Sequence, residues 1–141
     1  MRRRIVWCGS LLLVAGCSGL TAGPEVAATT PVPVSRDTAY TRAHRALATE
    51  LFTFDVIDSS GGRLTAMRYP SSNAQMGAAA ACRLKVEYDV SGSASEAEVK
   101  TNSRWISAEP MLEKAPTVCE QERKDVLDRV ALVIAPPPPS Q

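Results

Sequence analysis

The chain has 141 residues, 45% of them hydrophobic and 22% charged, with 16 basic against 15 acidic side chains, one histidine and four cysteines. That is material for one small globular unit, and a balance so near neutral lacks the clustered cationic excess that nucleic-acid binding needs. One histidine and four cysteines leave few parts for a metal centre or a nucleophile with its base, so neither a metal nor a cofactor is expected.

Arg2, Arg3 and Arg4 precede Ile5 to Ala15, a mostly apolar run of eleven residues. A transmembrane helix takes ~20 such residues, so this run is too short to span. A basic segment followed by a short apolar one is the pattern of a secretory signal. Leu13, Val14, Ala15, Gly16 and Cys17 then resemble the lipobox of bacterial lipoproteins. The resemblance implies a signal peptide over residues 1–16, acylation of Cys17 and a mature chain anchored to its membrane through that residue. Two or more acyl chains make a lasting anchor where one is marginal. Ser18 follows the cysteine, and by resemblance to enterobacterial sorting this favours the outer membrane, facing the periplasm. Without the leader's arginines the charge balance turns slightly acidic.

Residues 17–34 are rich in Thr, Ala, Gly, Pro and Val, with Glu25 as the single charge, and read as a flexible tether. A coil of that length spans ~23 Å, enough to lift a domain clear of the headgroups. Pro136 to Pro139 open a proline-rich tail over residues 136–141, extended by the restricted φ of proline. The folded domain is expected over residues 35–135.

Ser35 or Asp37 can cap a helix that carries Tyr40, Ala43, Leu47 and Leu51 at helical spacing. At Phe52 the period changes to two, with Phe52, Phe54 and Val56 on one parity. Ser59 to Gly62 make a turn, Arg63 to Tyr69 return, and residues 71–81 read as a loop or a short helical turn. Cys82, Leu84, Val86, Tyr88 and Val90 then alternate with charged residues in the clearest strand of the chain. Ala97, Val99 and Trp105 share one parity of a further strand, in which Thr101 and Ser103 weaken the apolar side. After a connection containing Pro110 and Pro116, Thr117 and Glu120 offer a capping box, and Val126, Leu127, Val130 and Val133 line one face of a second helix. The expected fold is α+β: a two-layer sandwich with a four-stranded antiparallel sheet and the N- and C-terminal helices packed on one face.

In an exported chain Cys82 and Cys119 are expected to form a disulfide, closing a loop whose entropic worth is roughly 3 to 4 kcal/mol. The alternative use is a thiol-dependent or hydrolytic enzyme built on Cys119 and His44, but the single histidine lacks an orienting partner, and a non-enzymatic module is expected. The outward positions Arg83, Lys85, Glu87, Lys100 and Arg104 make the candidate binding face, for an envelope protein; no small-molecule ligand is implied. Asp55 and Asp58 lie close in sequence but lack the spacing of a cation loop.

The stretch from Tyr40 to Ala66 joins an alanine-rich helix to a strand reading Phe54, Asp55, Val56, Ile57, Asp58, and then to Gly62, Arg63, Leu64, Thr65 and Ala66. It resembles the helix, strand and hairpin of the helix-grip domains in BamC-type lipoproteins of the outer-membrane barrel-assembly machinery. The resemblance implies a scaffold or assembly role and carries over no functional residue.

Overall fold

The computed structural model describes residues 21–69, 82–107 and 115–139. The expected signal peptide over residues 1–16, the expected acylation site Cys17 and the loop or helical turn expected over 71–81 lie outside them. The described elements are β1 (Thr21–Ala22), β2 (Val26–Val32), α1 (Arg36–Thr49), β3 (Phe52–Asp58), β4 (Arg63–Arg68), β5 (Cys82–Gly92), β6 (Ala97–Ser107) and α2 (Ala115–Ile134). All pairings are antiparallel. From β3 the strands follow one another as a meander, β3-β4-β5-β6, and β1 and β2 together occupy the far side of β6.

The α+β class is as expected, but among the described residues the sheet has six strands rather than four. The difference lies in residues 21–32, expected to be tether. Val26 pairs with Ser103, Ala28 with Thr101, Thr30 with Val99 and Val32 with Ala97, while Thr21 pairs with Ser107 and Ala22 with Ile106. The physical reason is the bare edge of β6, a row of backbone donors and acceptors that an extended segment satisfies at once. Pro31 is tolerated because β2 is itself an edge strand, where a missing N–H costs no ladder bond. Among the described side chains of the segment Val32 is the one deeply buried, at 1% exposure.

Ser35 caps α1, its side-chain oxygen accepting from the Thr38 N–H at 3.2 Å. Ala39, Ala43 and Ala46 are buried beside Tyr40 and Leu47; their small volume brings α1 down onto the sheet and against α2. The helix stops at Thr49, so Leu51 falls outside the stripe expected for it, in a left-handed conformation (φ 63°) with its side chain exposed. In β3 a bulge between Phe54 and Val56 shifts the register, placing Val56 opposite Thr65 and Ile57 opposite Leu64. Val56, expected on the inward parity, is therefore exposed.

The core lies between the sheet and the two helices: Leu47, Leu64, Leu84, Val86, Val90, Val99, Val126 and Val130 are fully buried. Each such side chain stabilises the fold by about 1.5–3 kcal/mol relative to its exposed state. The helix α2 begins at Ala115, two residues before Thr117, so Thr117 and Glu120 lie inside it and do not form the expected box. Its buried face is Cys119, Val126, Val130 and Ile134, and Val133 points outward. Its last carbonyls are partly satisfied from α1, where the Arg42 Nη1 donates to the Ile134 oxygen at 3.2 Å. Cys82 and Cys119, the pair expected from the sequence, are bonded across a Cα–Cα distance of 5.3 Å, fixing the start of α2 to the start of β5.

Candidate functional site

On the inward face of β6 the side chains run Ala97, Val99, Thr101, Ser103, Trp105. Those of β2 run Val26, Ala28, Thr30, Val32, each opposite its β6 partner. The middle positions of both strands are small. The helix α2 packs on α1, β5 and β6 and stands off β2, so these small residues leave a groove of about 300 Å3. That lies at the lower end of small-molecule sites and equals roughly ten times the share of one liquid water molecule. The floor is Val26, Ala28, Thr30, Val99 and Thr101; the helix contributes Leu127, Ala131 and Ile134 as an apolar wall.

The polar groups of the groove are held by one another. The Arg123 guanidinium, buried although charged, grips the Glu120 carboxylate through Nε at 3.0 and 3.1 Å and through Nη2. Its Nη1 donates to the Ser103 hydroxyl at 3.1 Å. The bonds from Arg123 to the carboxylate hold the Glu120 carboxyl below the usual carboxylate range. Tyr88 is buried on the floor and hydrogen-bonded to the Thr101 side chain; burial pushes its phenol well above the ordinary tyrosine value, so it stays neutral. At the outer rim Lys124 and Asp128 form a pair at 3.2 Å. The result is an apolar slot with one neutral hydroxyl pair on its floor and a neutralised guanidinium at one end. Such a lining suits an apolar or amphipathic molecule and supplies no nucleophile with a base beside it.

The residues singled out by sequence lie elsewhere. Arg83, Lys85, Glu87, Lys100 and Arg104 do share the outer face of β5 and β6, with Lys85 directly opposite Arg104. Much of their charge is answered locally: Lys85 pairs with Glu87 at 2.8 Å, Lys100 with Glu98 at 3.4 Å, and the Arg83 guanidinium lies 5.5 Å from the centre of the Tyr69 ring. A depression of about 290 Å3 on this face is walled by Arg63, Glu87, Asp89 and Lys100.

Cys119 and His44 are engaged separately. The sulfur of Cys119 is bonded to Cys82, whereas the His44 ring stacks on Phe54 at 4.6 Å, inclined by 15°. A disulfide sulfur offers no thiolate. Asp58 serves its turn, accepting from the Ser60 hydroxyl and the Gly61 N–H, both at 2.8 Å; these bonds hold its carboxyl below the ordinary range. Among the described residues no three potential metal ligands converge, and no helix is long and apolar enough to cross a membrane.

The groove was missed because its strongest sequence signal, the interruption of β6 by Thr101 and Ser103, looked like a weak strand. Polar or small residues at inward positions mark where core filling stops.

No family model matches the chain, and no curated protein matches it in sequence. Among solved structures it is similar to the crystal structure of Ara h 8.0201, with a TM-score of 0.54 and 7% identity over 81% of this chain and 98% of that one. It is also similar to the crystal structure of a DUF4468 family protein from Bacteroides ovatus ATCC 8483, with a TM-score of 0.46 and 13% identity over 83% and 89% of the two chains. The likeness to Ara h 8.0201 is one of fold, and it extends over nearly the whole of that protein.

Proposed function

We propose that the protein is a lipid-anchored lipoprotein of the bacterial envelope and a non-enzymatic binding module. Its ligand is an apolar or amphipathic molecule held between α2 and the β2–β6 side of the sheet. The observation that carries the binding role is the groove itself: about 300 Å3 with a predominantly apolar lining, left open by small side chains on two adjacent strands. Anchoring is supported by the arginine-led leader and by the resemblance of Leu13 to Cys17 to a lipobox. An oxidised Cys82–Cys119 pair is in keeping with an exported chain.

The test is a groove-filling variant. Ala28 is exposed to the slot, not packed in the core, so Ala28→Phe occupies the site without enlarging a core residue. Titration with an apolar fluorescent probe such as anilinonaphthalene sulfonate should give saturable binding to the parent protein and at least a tenfold loss in the variant, a cost of about 1.4 kcal/mol. Unchanged binding by a variant that melts normally refutes the groove as the site.

A further inference from the structure

The proposed acylation site and the sheet are close together along the chain. Thr21 and Ala22 already pair with Ser107 and Ile106. The Gly23 N–H donates to the Trp105 carbonyl at 2.9 Å. The chain crosses Trp105 so closely that a Cβ on Gly23 would lie 2.1 Å from the indole Nε1, so only glycine fits there. Between Cys17 and Thr21, the first paired residue, stand Ser18, Gly19 and Leu20. At 3.3–3.6 Å per residue the covalent reach from Cys17 to Thr21 is at most about 14 Å, whatever the conformation. By contrast β6, with its eleven residues, is about 37 Å long at 3.4 Å per residue. The leash is therefore far shorter than the domain, and the ~23 Å lift expected of a free tether is lost.

We infer that the domain is docked end-on, with the β1 end of the sheet on the bilayer that holds the acyl chains and the opposite hairpins directed away from it. This rests on the lipoprotein reading above and adds an orientation and an interaction surface to it. The same end gathers Leu51 (71% exposed), Tyr69 (52%) and Val118 (36%). Leu51 precedes Phe52, which pairs with Arg68 beside Tyr69; Arg68 pairs with Leu84, and Leu84 with Trp105. Val118 adjoins Cys119, bonded to Cys82 at the start of β5. Exposure alone does not choose this end, since Val56, Ile57, Leu132 and Val133 are exposed elsewhere; the length of the leash does. The chemistry then fits: a tyrosine ring with the Arg83 guanidinium over it has the apolar body and polar tip that the headgroup layer accepts.

The experiment uses the full acylated protein in phosphatidylethanolamine–phosphatidylglycerol vesicles containing headgroup-nitroxide lipid. Bimane is attached at Thr53→Cys, near the β1 end, or at Ser95→Cys, in the far turn. Loss of most of the emission at position 53 with none at position 95 is the expected result. A Gly-Ser insert of ~12 residues after Ser18, worth about 20 Å of coil, should weaken the quenching at position 53. Equal quenching at both positions, in protein whose mass shows an acylated Cys17, overturns the orientation and leaves the lipoprotein reading standing. A Cys17 without lipid overturns both.

Discussion

Replacing both members of the disulfide, Cys82→Ala with Cys119→Ala, measures how much of the stability comes from one covalent link. The bond closes a separation of 37 residues, for which the chain-entropy relation gives about 3.8 kcal/mol at 25 °C. Both cysteines are buried, at 3% and 0% exposure, so the loss of their sulfurs adds a smaller packing cost of ~1 kcal/mol. A loss of about 4 to 5 kcal/mol is a large part of the 5–15 kcal/mol available to a domain. Urea unfolding followed by the emission of Trp105, the one tryptophan after Trp7, reads it directly. With a slope of about 2 kcal/mol per molar, the midpoint should fall by roughly 2 M. Hydrogen exchange should rise most in the first turns of α2, which the bond ties to β5. A loss below about 1 kcal/mol refutes the reasoning, because the unfolded chain would then gain little freedom when the loop is opened.

Glu50 and Arg129 join α1 to α2 through bonds of 2.8 and 2.9 Å, and donation from Arg129 lowers the Glu50 pKa. Because the folded value is depressed, the stabilisation is present above the unfolded carboxylate pKa and is lost as pH falls through the folded one. Arg129 is half-exposed, so Arg129→Met should cost under about 1 kcal/mol at pH 7, and urea curves of parent and variant should converge in acid. The Tyr40 hydroxyl is buried with no hydrogen-bond partner among the described residues; Tyr40→Phe should raise stability by about 1 kcal/mol, read as a higher urea midpoint. Gly62 turns the β3–β4 hairpin at φ 76°, and an added Cβ would meet the Val90 carbonyl oxygen at 2.1 Å. Gly62→Ala should therefore lower the thermal midpoint with a loss of about 2–3 kcal/mol.

The meander and both helices were legible because their patterns are strong. Cys82 to Val90 alternates apolar and charged residues without a fault, and α1 carries its apolar residues three and four apart. Where neighbours decide, the pattern says less. The inward residues of β2 are Val26, Ala28, Thr30 and Val32, and the outward ones Ala27, Thr29 and Pro31, so hydropathy barely distinguishes its two faces. Its conformation is set by the open edge of β6, which no local signal announces. The bulge in β3 is likewise invisible locally, since Phe52 to Val56 alternates apolar and polar residues without a break across it. For the groove, weakness was the message: Thr101 and Ser103 are too polar for the core and sit where packing gives way to the slot. The charged face was placed correctly on one side of β5 and β6, but its ion pairs within single strands could not be foreseen from alternation.

The ladder between β2 and β6 also orders events in time. Every other ladder apart from the short β1–β6 pairing joins strands consecutive in the chain, whereas the Val26 carbonyl and the Ser103 hydroxyl that meet here are 77 residues apart. Closing so long a loop has an entropic cost that nearby contacts do not repay until β6 is already seated on β5. The two strands on the far side of β6 are thus the last to dock on the sheet, and the slot that β2 lines is complete only at the end of folding.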